Sequence, residues 1–365
     1  MTHASLTLPS ARKGRGRALP LVRVHTLVIG SGAAGLNVAV QLCRQGVEDI
    51  LILTEGLDKG TSINTGSDKQ TYYKLAMCGD DADSPQAMAE TYFSGGGMHG
   101  DLALAEASLS ARAFLHLVTL GVPFPTDAYG QFVGYKTDHD PRQRATSIGP
   151  YTSQAMCRAL IREVGRLGIP VREGRSAIAL LVVDEGEARR AAGALALNTR
   201  GQLEAYEAEN VVYATGGPGG LYRTSVYPEG HSGGIGVALL AGARAQNLPE
   251  SQYGLASIGF RWNVSGTYMQ VVPRFISTAA DGKGDPREFL GDYFATPGEM
   301  HSMVFLKGYQ WPFDSRKVAG GSSLIDILVY VETEMKGRRV FLDYRENPTG
   351  FAFEALSQEA LAYLT

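Results

Sequence analysis

Cysteine is scarce in this sequence. Cys43, Cys78 and Cys157 are the only three in 365 residues. They are far apart and show no CxxC or Cys/His ligand spacing. That excludes a disulfide framework and a cysteine-held zinc or iron–sulfur site, and it points to a reducing, cytoplasmic setting. Cys43 falls on an apolar helix face and reads as a small core residue. No apolar run approaches the ~20 residues that span a bilayer, so no direct membrane span is expected. A secretory apolar stretch is missing as well. Charged residues make up 19% of the chain, below the usual quarter, as in a compact and well-buried protein. A formal net charge of −3 gives no general attraction to nucleic acid or anionic membrane. Acidic residues are absent from the first 25 positions, which carry Arg12, Lys13, Arg15, Arg17 and Arg23. Residues 1–24 are therefore expected to form a basic, flexible arm, although a transit peptide shares that composition.

Glycine, by contrast, is abundant, at 45 of 365 residues, or about 12% against a usual share of about 7%. The excess has no fixed period and lies in a chain that is 44% hydrophobic, so collagen-like and disordered readings fail. Sixteen of these glycines fall in five clusters: 30/32/35, 95–97, 216/217/219/220, 230/233/234/236 and 320/321.

The first cluster has an interpretable context. Leu27-Val28-Ile29 is an apolar strand that runs into Gly30-Ser31-Gly32-Ala33-Ala34-Gly35, a GxGxxG loop, and a helical pattern follows through Leu36, Ala39, Val40 and Cys43. Gly30 suits the tight turn, Gly32 the approach of a pyrophosphate, and Gly35 the close packing of helix on strand. Gly46 is placed to end the helix. A second strand, Ile50–Leu53, closes the βαβ unit, and Thr54 and Glu55 stand where an acceptor for ribose hydroxyls is needed. This predicts a dinucleotide site, although a tight βα turn without ligand has the same outline. FAD and NAD share the fingerprint.

Three further stretches narrow the choice. Residues 94–124 read Ser-Gly-Gly-Gly-Met-His-Gly, then a helical run from Asp101 to Leu120, then Gly-Val-Pro-Phe. Residues 211–223 read Val-Val-Tyr-Ala-Thr-Gly-Gly-Pro-Gly-Gly-Leu-Tyr-Arg, and residues 231–244 run from His231-Ser232-Gly233-Gly234 to Ala243-Arg244. With the glycine loop, in this order, they resemble the flavoprotein family of fumarate reductase, succinate dehydrogenase and L-aspartate oxidase, from about Val24 to about Arg345. The resemblance implies an α/β fold: a doubly wound, Rossmann-like FAD-binding domain with an inserted, smaller α+β capping domain. The C-terminal part of the family fold is expected to be absent. The implied units are an FAD-binding domain over 25–247, a cap over 248–345, and a C-terminal helix over 346–365 that starts a truncated return.

The same resemblance implies cofactor-binding roles for Gly30, Ser31, Gly32, Ala33, Ala34, Gly35, Thr54 and Glu55. It adds Ser62, Asn64, Thr65 and Gly66 beside the flavin ring and pyrophosphate, Ala177 with backbone facing the adenine, and Ala214, Thr215 and Gly216 at a strand end. No histidine occurs between His25 and His99, so non-covalent FAD is implied. In relatives a cap arginine delivers a proton to the substrate carbon. Arg274 is the nearest match here, with an ordinary salt bridge as its alternative role. Gly233 and Gly254 stand where relatives keep an acid and a substrate-holding histidine. His99 and His301 have no partner at motif spacing, and Asp138-His139-Asp140 sits in a polar loop without further ligands, so no metal is expected.

The activity implied is hydride transfer between flavin and a small (di)carboxylic or enoic acid, with an electron-transfer partner protein. Two alternatives stay open: a flavin-binding subunit or remnant without independent catalysis, and an NAD-dependent dehydrogenase.

Overall fold

The computed structural model describes residues 4–8, 17–66, 70–79, 82–136, 140, 142–186, 188–217, 219–222, 225–227, 234–247, 254–259 and 262–363. Its first half alternates strand and helix: β1 (Ala4–Leu8), β2 (Arg17–Ile29), α1 (Ala33–Arg44), β3 (Ile50–Leu53) and the short α2 (Thr61–Asn64). The ladder of β4 (Tyr72–Tyr73) with β5 (Ala145–Thr146) encloses the helices α3 (Pro85–Ser94) and α4 (Gly100–Thr119). Then come α5 (Thr152–Arg166), β6 (Val171–Arg172), β7 (Arg175–Glu185), β8 (Ala188–Asn198) and β9 (Leu203–Tyr213). The sheet runs β6-β3-β2-β9-β8-β7, with β1 added to β2. Strands β6, β3, β2 and β9 are parallel, while β7, β8 and β9 form an antiparallel meander.

The period-2 side-chain alternation of strands divides β2 and β3 between two cores. Val28, Ile50 and Ile52 point to one face and pack with Leu36, Ala39, Val40, Phe114, Leu117, Cys157 and Leu160 of the helices. Leu27, Ile29, Leu51 and Leu53 point to the other and meet Ala194, Ala196, Tyr206 and Ala208 of the meander. All four residues of β3 are buried, as a central parallel strand requires.

The flexible arm expected over 1–24 is corrected in part. Strand β2 begins at Arg17, and Leu21, Val22, Arg23 and Val24 are in register with Ala205 to Ala208 of β9. Leu19, Leu21, Val22 and Val24 are buried, and Arg23 turns outward to pair with Glu207 at 2.9 Å. The basic residues disguise a strand whose apolar positions supply the burial. Residues 9–16 lie outside the described residues.

The second half begins with α6 (Ile235–Leu240), the pair β10 (Ala256–Ser257) and β11 (Trp262–Asn263), and α7 (Thr267–Gln270). It continues through β12 (Arg274–Thr278), β13 (Arg287–Glu288), α8 (Pro297–Tyr309), α9 (Leu324–Tyr330), β14 (Arg339–Asp343) and α10 (Gln358–Leu361). Strand β12 is the centre of an antiparallel sheet, β13-β12-β14. Helix α8 starts as its sequence dictates: Thr296 caps the Glu299 N–H, and Pro297 occupies the first turn. Helix α9 runs into a π-helical turn, Val331–Met335. The core of this unit joins Phe275, Phe289, Val304, Phe305, Leu306, Ile325 and Leu328 with Leu356 and Ala360. The C-terminal segment, expected to start a return to the first domain, therefore packs on the cap. Leu356 and Ala360 find their partners on α8 and its neighbours.

Candidate functional site

The parallel strands β2, β3 and β9 end at one place. Gly30 N–H donates to Leu53 O at 2.9 Å and Ala214 N–H to Ile29 O at 2.8 Å, so 30–35, 54–56 and 214–216 converge beyond the carboxyl ends of the strands. In open α/β sheets that crevice is where ligands bind.

Each glycine of the loop has its own reason. Gly30 has φ +108°, and a Cβ there would lie 2.3 Å from Ala214 O. A Cβ on Gly35 would lie 2.1 Å from Gly30 O, so α1 can sit on the strand only through a glycine. Gly32 is the N-cap of α1 and, having no side chain, offers no capping acceptor. The first amides of this 12-residue helix, like those of any α-helix, have no intrahelical partner, and the macrodipole adds positive potential at the same point. Ala33 N–H reaches Ser62 Oγ at 3.3 Å, which places α2 beside the helix start together with Ala34.

Ser31 is buried, and its hydroxyl bonds Thr54 Oγ1 at 2.7 Å and Gly56 O at 3.1 Å. Thr54 thus acts as internal bracing for the loop, while Glu55 beside it is exposed and accepts from Ser176 Oγ at 2.6 Å. Ser176 was not singled out in the sequence. Its contact depends on strand register and has no local signature. Ala177 follows it, next to a ladder irregularity between Ala177 and Ala179, where a bulge frees backbone from pairing. On the opposite rim Gly216 has φ +85°. Tyr213 Oη donates to Gly234 O at 2.6 Å and ties the segment before α6 to the end of β9.

The loop after α2 is braced from α5. Gln70 bonds Thr65 O at 3.2 Å and Ser153 Oγ at 2.6 Å, and Gln154 bonds Ile63 O at 3.2 Å. Asn64 turns its amide onto Asp58 O and Gly60 O, which makes it a turn-former. Thr65 Oγ1 is buried without a hydrogen-bond partner among the described residues. Burial pushes the Cys157 thiol beneath Ser62 up to about 11, so it stays protonated. A dinucleotide fits these features. The helix N-terminus suits a pyrophosphate, Glu55 suits ribose hydroxyls, and the orphaned Thr65 hydroxyl lies on the side assigned to the flavin.

Arg274 lies elsewhere. Its guanidinium bonds Glu288 at 2.6 Å and has Glu346 at 3.4 Å and Asp343 at 3.7 Å. It lines a cleft of about 600 Å³ with Arg287, Glu288, Thr296 and Met300. None of the nucleotide-loop residues lines that cleft, so the geometry favours the salt-bridge role over the proton-delivering one. A side chain at 254 would meet Trp311, whose Cε2 lies 2.8 Å from a Cβ built there. Trp311 Nε1 donates to Leu255 O at 2.8 Å. The room for a histidine is thus taken by an indole. His99 starts α4 without a side-chain cap, and His301 is in the cap core with both ring nitrogens lacking a hydrogen-bond partner among the described residues. Asp140 is buried 3.5 Å from Arg144. Asp138, His139 and Gly233 lie outside the described residues.

Comparison with known proteins agrees with this geometry. A family model described as "FAD binding domain" matches residues 25–285. L-aspartate oxidase of Agrobacterium fabrum is 32% identical over 235 residues, which cover 63% of this chain and 43% of that protein. A CoM/CoB fumarate reductase chain of Methanothermobacter marburgensis is 26% identical over 239 residues, covering 64% and 42%. The chain thus spans less than half the length of these curated relatives. Among solved structures, a flavocytochrome c3 fumarate reductase in its open conformation superposes with a TM-score of 0.59 at 20% identity, covering 84% of this chain and 55% of that one. FrdA of E. coli quinol fumarate reductase gives 0.60 at 18%, covering 85% and 57%. The fold is that of these flavoproteins, and nothing found supports the NAD alternative. No described helix is long and apolar enough to cross a membrane. The glycine loop, the strand ends that meet it and the matched span together place the chain in the FAD binding domain family.

Proposed function

We propose that this chain is an FAD-dependent oxidoreductase that exchanges a hydride with a small (di)carboxylic or enoic acid. The observation that carries the reading is the convergence of 30–35, 54–55 and 214–216 at the carboxyl ends of three parallel strands. The start of α1 would hold the pyrophosphate, Glu55 the adenosine ribose, and backbone near Ala177 the adenine. Ser62, Thr65, Gly66, Thr215 and Gly216 would border the flavin. When bound, FAD supplies a two-electron carrier that accepts a hydride from one partner and passes it to another. The protein's own part is binding and orientation: the buried Ser31–Thr54 bond and the Gln70–Ser153 brace hold the loops in one arrangement.

The absence of a histidine from 26–98 supports a dissociable cofactor. Free thiols at Cys43, Cys78 and Cys157 support a cytoplasmic location. An electron-transfer partner belongs to the proposal, because the solved neighbours include an Sdh1 complex from Mycobacterium smegmatis. The space at 254 filled by Trp311 favours acids other than fumarate and succinate.

A second reading, a flavin-binding subunit without turnover of its own, is favoured by the engagement of Arg274 with Glu288 and by the Trp311 indole against Gly254. One experiment separates the two. The FAD-loaded chain is reduced with dithionite, excess reductant is removed, and fumarate, crotonate and other enoates are added anaerobically. Rapid reoxidation by one of them supports the enzyme. Stable reduced flavin in the presence of all of them supports the second reading.

A further inference from the structure

The contact between the meander and the βαβ unit does more than close the sheet. Arg175 N–H donates to Thr54 O at 3.0 Å and Gly174 N–H to Glu55 O at 3.2 Å, while Glu173 accepts from Leu57 N–H at 2.9 Å. Residues 54–57 are therefore fixed, main chain and all, to residues 173–175. That pinning brings Ser176 Oγ to 2.6 Å from Glu55 Oε1. Glu55 is exposed, and a free glutamate side chain on a surface loses considerable rotamer freedom when it binds a ligand. A short hydrogen bond to its carboxylate, made from a rigid strand, removes much of that freedom beforehand.

We propose that Ser176 is a positioning residue for the cofactor. It donates to Glu55 and holds the carboxylate in the orientation that accepts the hydroxyls of the adenosine ribose. This rests on the reading of Glu55 as the ribose acceptor. Ser176 acts through Glu55 and needs no contact with the cofactor.

The test uses the full chain stripped of flavin. FAD and an FAD analogue carrying 2′-deoxyadenosine are titrated against wild type, Ser176→Ala and Ser176→Thr by flavin fluorescence. Ser176→Ala should weaken FAD by about three- to tenfold, the net size of one ordinary hydrogen bond. It should also shrink the preference for FAD over the deoxy analogue, and Ser176→Thr should restore both. An unchanged FAD affinity in Ser176→Ala would overturn the proposal. Equal weakening of FAD and the analogue would also overturn it, because a purely structural loss does not sense the 2′-hydroxyl. Failure of wild type to bind either nucleotide contradicts the cofactor reading itself, and the proposal falls with it.

Discussion

At the scale of single residues, most of the glycine loop is governed by distance. Gly35 and Gly46 make a controlled pair, since both belong to the α1 region and only one is crowded. A Cβ at 35 meets Gly30 O at 2.1 Å, whereas Gly46 has φ +89° and open space around its Cβ position. Gly35→Ala should cost about 1–3 kcal/mol or more through forced backbone movement and should abolish FAD uptake. Gly46→Ala should cost about 1–2 kcal/mol from its left-handed backbone alone and leave FAD affinity intact. Denaturant melts and FAD titration check both. Arg274→Gln should lower stability by about 1 kcal/mol, as the loss of a partly exposed ion pair does, and leave the rate of enoate reoxidation within about twofold. A collapse of that rate in a normally folded variant would restore its proton-delivering role.

His301 adds a pH dependence. Burial holds its imidazole below the usual value, against a smaller opposing pull from Glu288, so folding favours the neutral ring. Its contribution is full above the ordinary value of about 6.5 and is lost as pH falls toward the folded value. Asp326 acts with the opposite sign: burial raises it to about 6, so its contribution is present below its ordinary range and is lost as pH rises through about 6. Replacing His301 by Phe removes two unsatisfied ring nitrogens and keeps a ring against Phe351. The loss of melting temperature as pH falls below about 6.5 should be smaller than in wild type, because Asp326 is then unopposed, with no loss in mildly alkaline buffer.

At the scale of elements, the βαβ unit was legible because apolar runs, the glycine spacing and Gly46 all point to the same structure. α1 ends at Arg44 with Gly46 just beyond, and the helical run expected over 101–120 is α4, Gly100–Thr119. The extension of β2 was hidden because Arg17 and Arg23 suggested an exposed arm, and its partner β9 lies far along the chain, Arg23 pairing with Glu207. Helix α8 was hidden by its burial all round, which leaves no polar face to set a period.

Its interior carries the Lys307–Asp326 pair, both side chains inaccessible to solvent. The pair ties α8 to α9. Lys307→Met should destabilise the cap by about 3–5 kcal/mol by stranding a buried carboxylate. Lys307→Met with Asp326→Leu should recover most of that loss, and the cycle is read by chemical denaturation. A single variant as stable as wild type would mean that the pair contributes nothing to α8–α9 packing.

At the scale of the molecule, two units with separate cores are joined in one chain: a sheet with its helices and meander, and a cap built on β12 and α8. The nucleotide half of the site was readable in the sequence because pyrophosphate binding imposes backbone rules on a short stretch. Substrate chemistry was not, because it depends on side chains brought together across the cap, as Trp311 against Gly254 shows. Two glycines, Gly233 and Gly254, remove side chains from the places where specificity would be legible. The claim on which the rest depends is that this chain binds FAD without a covalent bond. Purified chain incubated with FAD, desalted and then denatured in acid measures it directly. The account predicts stoichiometric flavin in the desalted protein and its complete release into the supernatant. A colourless desalted protein, or flavin that precipitates with the polypeptide, would contradict it.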